Sequence, residues 1–192
     1  MPHAQLDGHQ VPFEDVGGEG PPILLSPGAD STAATLRERL DVFGAVYRLL
    51  AWDPPQVAAQ GSDRIREHAR MALDLLHHQG IERAVFAGDG VGALIAVRAG
   101  LSAPDRVRGL LLFDLPGGEV DELRRLYELD IPTLVVHSGA GGRTRDEVTA
   151  LAEALRDNRG VHLLDDEDPA LATTRAAAVD AAIRDYLESL PA

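Results

Sequence analysis

Short apolar runs alternate with longer amphipathic stretches along the 192-residue chain. The short runs are apolar at consecutive positions and end near Gly, Pro or Asp, which is typical of strands covered on both faces. The predicted strands are residues 23–25, 48–51, 84–87, 109–113, 133–137 and 161–164. The predicted helices are residues 32–42, 63–79, 92–101, 144–157 and 171–190. This alternation predicts an α/β fold with a mostly parallel central sheet flanked by helices.

The length and the apolar content of 45% predict one domain with a core of ordinary size, over residues 13–192. Residues 1–12 are polar, with scattered His and Pro, and are expected to form a poorly ordered lead-in.

The composition excludes some kinds of catalytic chemistry and disfavours some classes of partner. The net charge of −13 and a pI near 4.8 disfavour nucleic acid and anionic membrane surfaces as partners. The chain has no cysteine, and all 18 basic residues are arginine, so thiol nucleophiles and Schiff-base lysines are excluded. Neither a signal peptide nor an apolar run of membrane-spanning length is evident, so we expect a cytoplasmic, acidic protein.

The most informative segment is residues 84–96, an apolar run followed by a glycine-rich turn and a small-residue helix. The turn fits a G-x-S-x-G nucleophile elbow, with Gly88 and Gly92 at its ends and Gly90 at the apex. It also fits a Rossmann fingerprint G-x-G-x-x-G/A through Gly88, Gly90 and Ala93, with Asp114 as the ribose-binding acid. The segment alone leaves both interpretations open.

Segments on either side of this turn separate the two interpretations. Two strands and a helix precede it, whereas a Rossmann fingerprint usually follows the first strand of its unit. Residues 21–31 (PPILLSPGADS) are similar to a third strand with its oxyanion loop, and residues 47–54 (YRLLAWDP) to a fourth strand. Residues 104–114 and 131–137 are similar to the strands that follow the elbow. Over nearly its whole length the chain resembles the α/β-hydrolase superfamily.

This resemblance implies a catalytic triad in the chain order nucleophile, acid, histidine, and none of the three is found in place. The nucleophile position is Gly90, the acid position is Gly141 and the histidine position is Pro169, with no histidine after His162. The N–H of Val91 remains for an oxyanion hole, but Pro27 stands where a glycine is usual and has no N–H. Serine-hydrolase activity is therefore not expected, and whether the protein is an enzyme stays open.

The resemblance also implies a place for a cap domain, and the chain is short there. Only residues 115–132 separate two predicted strands, enough for one amphipathic helix with Leu123, Leu126, Tyr127 and Leu129 on its apolar side. We expect no separate cap domain. The cleft would be open to water, or covered by a second copy of the chain or by a protein partner.

Ligands of open α/β sheets bind beyond the carboxyl ends of the strands, which places a set of candidates around the cleft. The candidate ligand-binding residues are Ser26, Asp30, Asp89, Gly90, Val91, Asp114 and His137. Asp30 is also a natural helix N-cap, and Asp114 with His137 could form an acid and base pair. No spacing of ligands predicts a metal site, and no cofactor is predicted.

Three functional hypotheses follow. The leading one is a non-hydrolytic α/β-hydrolase-fold protein with a degenerate triad, a pseudoenzyme that binds a small molecule or acts as an interaction module. The second is an isomerase, a lyase or a residual hydrolase-family enzyme that uses Asp89, Asp114 or His137. The third is Rossmann-like nucleotide binding at Gly88, Gly90 and Ala93.

Overall fold

The structure is a computed structural model that describes residues 2–16, 18–29, 31–139, 142–164 and 172–191, with the side chains of residues 172–176 left out. The strands are β1 (His3–Leu6), β2 (His9–Val16), β3 (Pro22–Ser26), β4 (Arg48–Trp52), β5 (Ala84–Asp89), β6 (Val107–Phe113), β7 (Thr133–His137) and β8 (Asn158–Leu163). The helices are α1 (Ala33–Arg39), α2 (Gly61–His78), α3 (Val91–Ser102), α4 (Asp121–Arg124), α5 (Arg145–Glu153) and α6 (Ala172–Ser189).

The eight strands form one sheet in the order β1-β2-β4-β3-β5-β6-β7-β8. The β1–β2 and β2–β4 pairs are antiparallel, and every pair from β4 to β8 is parallel. The predicted α/β class with a mostly parallel sheet is confirmed. Because β5 lies in the middle of the sheet and follows β3 and β4 along the chain, the order also favours the elbow interpretation of the glycine turn over a Rossmann unit.

The parallel strands from β3 to β7 are buried on both faces, as their continuous apolar runs predict, whereas β8 at the edge of the sheet is only partly buried. Alternate residues point to opposite faces, so Leu24 of β3 packs in one core layer while Ile23 and Leu25 pack in the other. The first layer contains residues of α2, α3 and α5, and the second contains residues of α1 and α6. Helices therefore cover both faces and leave the carboxyl ends of the strands for a site.

The expectation of a poorly ordered lead-in over residues 1–12 is wrong, because β1 and the first half of β2 form a hairpin there. The two residues of its turn, Asp7 and Gly8, have φ angles of 48° and 83°, as a tight type I′ turn requires. Ala4 and Leu6 of β1 alternate with exposed residues and pack in the core with Val11 of β2. The alternation covers few residues, and further polar residues lie next to it, so the pattern is hard to recognise in the sequence.

The segment between β6 and β7, which the structure describes in full, is short and packs against α3, and it forms no separate cap domain. Leu123, Leu126 and Leu129 are buried as predicted, but Tyr127 is 56% exposed. The reason is local geometry: α4 ends at Arg124 and residues Leu126–Glu128 form a tighter 3-10 turn, which changes the angular spacing of the side chains.

A buried ion pair fixes this segment to α3. Arg98 Nε donates to Glu122 Oε1 at 2.9 Å, and Arg98 Nη2 donates to the same oxygen at 2.5 Å. Glu122 is fully buried and Arg98 is 6% exposed, so the Glu122 carboxylate is the buried partner of the Arg98 charge. Arg98 Nη2 also donates to the exposed Asp121 carboxylate at 3.2 Å.

We predict that Glu122→Gln lowers the free energy of unfolding by about 3 kcal/mol, because it removes the buried carboxylate of the pair and leaves the Arg98 charge only the exposed carboxylate of Asp121, at 3.2 Å. Urea denaturation followed by circular dichroism measures this change. Glu119→Gln is the matched control, since Glu119 pairs with Arg124 at the surface and should cost less than about 1 kcal/mol. A loss below about 1 kcal/mol for Glu122→Gln would show that the pair does not hold the segment.

Candidate functional site

The turn between β5 and α3 has the geometry of a sharp strand-to-helix elbow. Gly90, at its apex, has φ 54° and ψ −113°, a conformation that glycine adopts far more readily than other residues. Its N–H donates to the carbonyl of Phe113 at 3.0 Å, and its carbonyl accepts from the N–H of Ala93 at 3.1 Å. The elbow is therefore built and hydrogen-bonded although its apex carries no side chain.

The glycines at the ends of the elbow are required by close backbone contacts. A Cβ on Gly88 would lie 2.2 Å from the carbonyl oxygen of Gly92, and a Cβ on Gly92 would lie 1.9 Å from that of Ser26. A Cβ on Gly90 would meet only the Cα of Gly28, at 3.7 Å, an ordinary contact distance. Packing leaves room for a side chain at the apex, and only the backbone conformation favours glycine there.

Two polar residues at the strand ends have structural roles. Ser26 is 1% exposed, and its Oγ accepts a hydrogen bond from Trp52 Nε1 at 2.9 Å. Asp53, which follows β4, accepts from the N–H of Ala33 at 2.8 Å and so stabilises the first turn of α1. Of the other residues singled out from the sequence, Asp30, Gly141 and Pro169 lie outside the described residues.

Asp114 and His137 lie next to each other, in a buried position. His137 Nδ1 is 3.4 Å from Asp114 Oδ1, and the two residues are 2% and 7% exposed. Asp114 also accepts from the N–H of Ser138 at 2.6 Å and from its hydroxyl at 2.9 Å, while His137 Nε2 lies 3.1 Å from the carbonyl oxygen of Arg143. These contacts join the turns after β6 and β7 and keep both side chains largely buried.

Asp89 lies beside the apex in a small polar cluster. Its Oδ2 accepts from Ser31 Oγ at 3.4 Å, and that hydroxyl accepts from the N–H of Gly28 at 2.8 Å. Burial raises the pKa of Asp89, and the nearby Asp114 adds to the rise, whereas Arg39 and the Ser31 hydroxyl oppose it. Ser31 and Arg39 belong to an adjoining loop and helix, and no spacing in the sequence connects them with Asp89.

Few backbone donors remain for an oxyanion beside Gly90. Pro27 has no N–H, and the N–H of Gly28 already donates to Ser31. Val91 is the first residue of α3, where helix geometry leaves the N–H without an intrahelical acceptor. Of the two backbone positions that acyl transfer commonly uses in such an elbow, the residue after the apex, Val91, therefore still offers its N–H.

A pocket of about 250 Å³ lies beside the elbow, between the carboxyl ends of β3, β4 and β5. This is where the chain changes its winding direction in the sheet, since β3 lies between β4 and β5. The pocket is lined by Pro27, Gly28, Ala29, Pro54, Pro55, Gln56, Arg64, His68, Val91 and Ile95. Of the sequence candidates, Val91 lines this pocket, and His137 lines a different one with Gly139 and Arg143.

His68, on α2, is the buried polar side chain of this pocket. It is 6% exposed, its Nε2 lies 2.9 Å from the carbonyl oxygen of Pro55, and its ring meets Trp52 edge to face. Burial lowers the pKa of His68 despite the opposing effect of that hydrogen bond, and the Arg64 charge lowers it further. The sequence offered no motif for His68 or Arg64, because both read as ordinary positions of an amphipathic helix.

Two further findings concern the whole of the described chain. No described helix is both long and apolar enough to cross a membrane. No group of three or more His, Asp or Glu side chains with the geometry of a metal site occurs among the described residues.

Known proteins resemble this chain in sequence. RutD of Azorhizobium caulinodans, named as a carbamate hydrolase, is 31% identical over 133 residues, which are 67% of this chain and 50% of that protein. Haloalkane dehalogenase 2 of Mycobacterium tuberculosis is 30% identical over 102 residues, 50% of this chain and 35% of the dehalogenase. The chain thus spans half the length or less of these curated relatives. No protein-family model matches it.

Solved structures resemble the chain in fold. The enol-lactonase from Burkholderia xenovorans LB400 superposes with a TM-score of 0.80 at 17% identity, covering 98% of this chain and 100% of that one. A thermophilic esterase from Thermogutta terrifontis gives a TM-score of 0.77 at 17% identity, covering 93% of each chain. At such low identity the similarity establishes the fold alone.

The raised pKa of Asp89 predicts a pH-dependent gain in stability for Asp89→Asn. The folded state binds this proton more tightly than the unfolded state, so the associated stability is present below the usual aspartate pKa and is lost as the pH rises through the folded pKa. In Asp89→Asn the side-chain amide is neutral at every pH, so this loss of stability does not occur. Asp89→Asn should therefore raise the free energy of unfolding at neutral pH, by an amount that shrinks as the pH is lowered.

Urea denaturation of both proteins between about pH 7 and about pH 4 measures this dependence. Asp105→Asn, at an exposed position, is the control and should change the stability by less than about 0.5 kcal/mol. A less stable Asp89→Asn at neutral pH would instead show that the carboxylate makes a net stabilising interaction there.

Proposed function

Because the chain belongs to the α/β-hydrolase superfamily but carries glycine at the apex of its elbow, we propose that it is a non-hydrolytic member that binds a small molecule beside Gly90. The proposal rests on a combination of features at the elbow. The turn, its flanking glycines and an adjoining pocket are all formed, and the group that would attack a substrate is absent.

The nearby hydroxyl groups are poor replacements for the nucleophile. Ser26 is buried against Trp52, Ser138 is bonded to Asp114, and Ser31 accepts from Gly28 while it faces Asp89. None of these contacts pairs a serine with an imidazole. A serine without such a base is a weak nucleophile at neutral pH, since the members of a triad act as a unit.

The pocket has the properties of a preformed binding site. Pro27, Pro54 and Pro55 fix the backbone on two of its sides, so little conformational entropy is lost when a ligand binds. Val91 and Ile95 supply apolar surface, and Gln56, Arg64 and His68 supply a few polar groups. Apolar walls with a small number of placed polar groups are typical of small-molecule sites.

An acid and base enzyme built on Asp114 and His137 fits the structure less well. The two side chains do lie together, but each is nearly inaccessible to solvent and is hydrogen-bonded to neighbouring turns. A general base must reach the proton that it removes, either directly or through one water molecule. The pair is better explained as a link between the ends of β6 and β7.

We predict that the purified chain does not turn over p-nitrophenyl butyrate above the rate in buffer, as measured by release of nitrophenolate. Gly90→Ser should not raise the rate, because the position that supplies the histidine base in the superfamily is Pro169 in this sequence. Gly90→Ala controls for the strain that any side chain introduces at φ 54°.

Saturable turnover by the unmodified chain would contradict the proposal. The triple variant Ser26→Ala, Ser31→Ala, Ser138→Ala would then locate the chemistry. Loss of turnover would identify one of these serines as the nucleophile, and persistence would identify a group of another kind.

A further inference from the structure

The pocket beside Gly90 is lined by a positive charge in a strongly acidic chain. The sequence has 31 acidic and 18 basic residues, yet Arg64 is the one charged side chain among the described residues that line the pocket. The N-terminus of α3, a helix of 12 residues, adds a partial positive charge at Val91. The lining of the pocket therefore favours an anionic ligand, although the whole molecule carries a net negative charge.

Arg64 is available for a ligand. The other arginines on the same helix are paired, Arg66 with Asp63 and Arg70 with Asp7. Arg64 forms no ion pair within the part of the chain that the structure describes, and it is half-buried at the pocket. A guanidinium group is well suited to a carboxylate, which it can bind through two parallel hydrogen bonds.

The hydrogen bonding of His68 is a second observation that points to a ligand. Its Nε2 faces the carbonyl oxygen of Pro55, which only accepts, so in the neutral ring the proton is on Nε2. Its Nδ1 is then an acceptor, and this buried atom has no hydrogen-bond partner among the described residues. Buried polar atoms nearly always have a partner. Because His68 lines the pocket, a small turn of its ring would bring the unpaired Nδ1 to a donor on a bound molecule.

We propose that this pocket binds a small hydroxycarboxylate, with its carboxylate on Arg64 and the α3 N-terminus and its hydroxyl donating to His68 Nδ1. A volume of about 250 Å³ corresponds to roughly eight water molecules, which suits a short-chain acid of similar size. A single guanidinium matches a monoanion, and Val91, Ile95 and the prolines suit a short apolar chain. The inference rests on the proposed function, because it assigns a ligand class to the same pocket.

The test is a titration of the ¹⁵N-labelled chain with 3-hydroxybutyrate, butyrate and 3-hydroxybutyramide at constant ionic strength, followed by amide chemical shifts. The hydroxy acid should shift the amide signals of Ala29, Val91 and Gly92, with a dissociation constant on the order of millimolar for so small a ligand. Butyrate should bind about fivefold more weakly, and the neutral amide at least about tenfold more weakly.

Arg64→Gln should weaken binding of the hydroxy acid by about tenfold or more, and it removes only a half-buried side chain at the surface. Arg66→Gln is the matched control, because Arg66 lies two positions away on the same helix, is exposed and does not line the pocket. It should leave the dissociation constant within about twofold.

Several results would overturn the assignment of the ligand class. The first is an equal affinity for the acid and its amide, and the second is an equal loss of affinity in Arg64→Gln and Arg66→Gln. The others are chemical-shift changes confined to amides away from the pocket, or tighter binding of inorganic phosphate at the same amides. If no acid binds and the chain does not hydrolyse esters, the ligand class alone is wrong. Ester turnover would contradict the proposed function itself.

Discussion

The close approach of the β5–α3 turn to the end of β3 is the constraint on which the rest of this site depends. The backbone of Gly92 passes so near Ser26 that a Cβ on Gly92 would lie 1.9 Å from the Ser26 carbonyl oxygen, and a Cβ on Gly88 would lie 2.2 Å from that of Gly92. This contact sets the direction in which α3 leaves the sheet. It also brings Val91 and the loop after β3 to the two sides of one pocket.

Because that constraint acts at the ends of the elbow, the geometry does not require any particular residue at the apex. The conformation of Gly90 is held by hydrogen bonds to Phe113 and Ala93, which involve only the backbone. A scaffold of this kind can keep its shape while the reacting groups are absent, so fold and activity are separable properties. The similarity to named hydrolases is consequently informative about architecture, and the chemistry has to be argued from the side chains.

The side chains around the strand ends are engaged in holding the turns together. Ser26, Asp53 and Asp114 each accept a hydrogen bond from an adjoining element, and together they fix the loops after β3, β4 and β6. Arg64 and His68 differ from them, since one has no described ion-pair partner and the other has an unpaired buried nitrogen. Among the residues that line the described pocket, the groups available for a ligand are therefore on α2, to one side of the elbow.

The sequence predicted the features that depend on short, continuous segments of the chain. The apolar runs of β3 to β7 and the glycines of the elbow are visible in it, because a doubly covered strand and a sterically tight turn each demand particular residue types. The β1–β2 hairpin was missed because its short apolar alternation is broken by polar residues, although its Asp-Gly turn is a recognised signal.

The pocket could not be predicted, because Arg64 and His68 meet Val91 only through the packing of α2 on α3. Such contacts between distant segments leave no spacing pattern in the chain. The same reason applies to the Asp89 cluster, whose members come from the loop after β3, from α1 and from the elbow.

The central claim, that the cleft has the architecture of a hydrolase without its reactivity, is tested most directly by intact-mass spectrometry after incubation with a fluorophosphonate probe. Such probes form a phosphorus–oxygen bond to an activated serine and release fluoride. We expect the mass of the folded chain to be unchanged. A stoichiometric adduct that is lost on denaturation before labelling, and that maps to a serine beside the elbow, would contradict it.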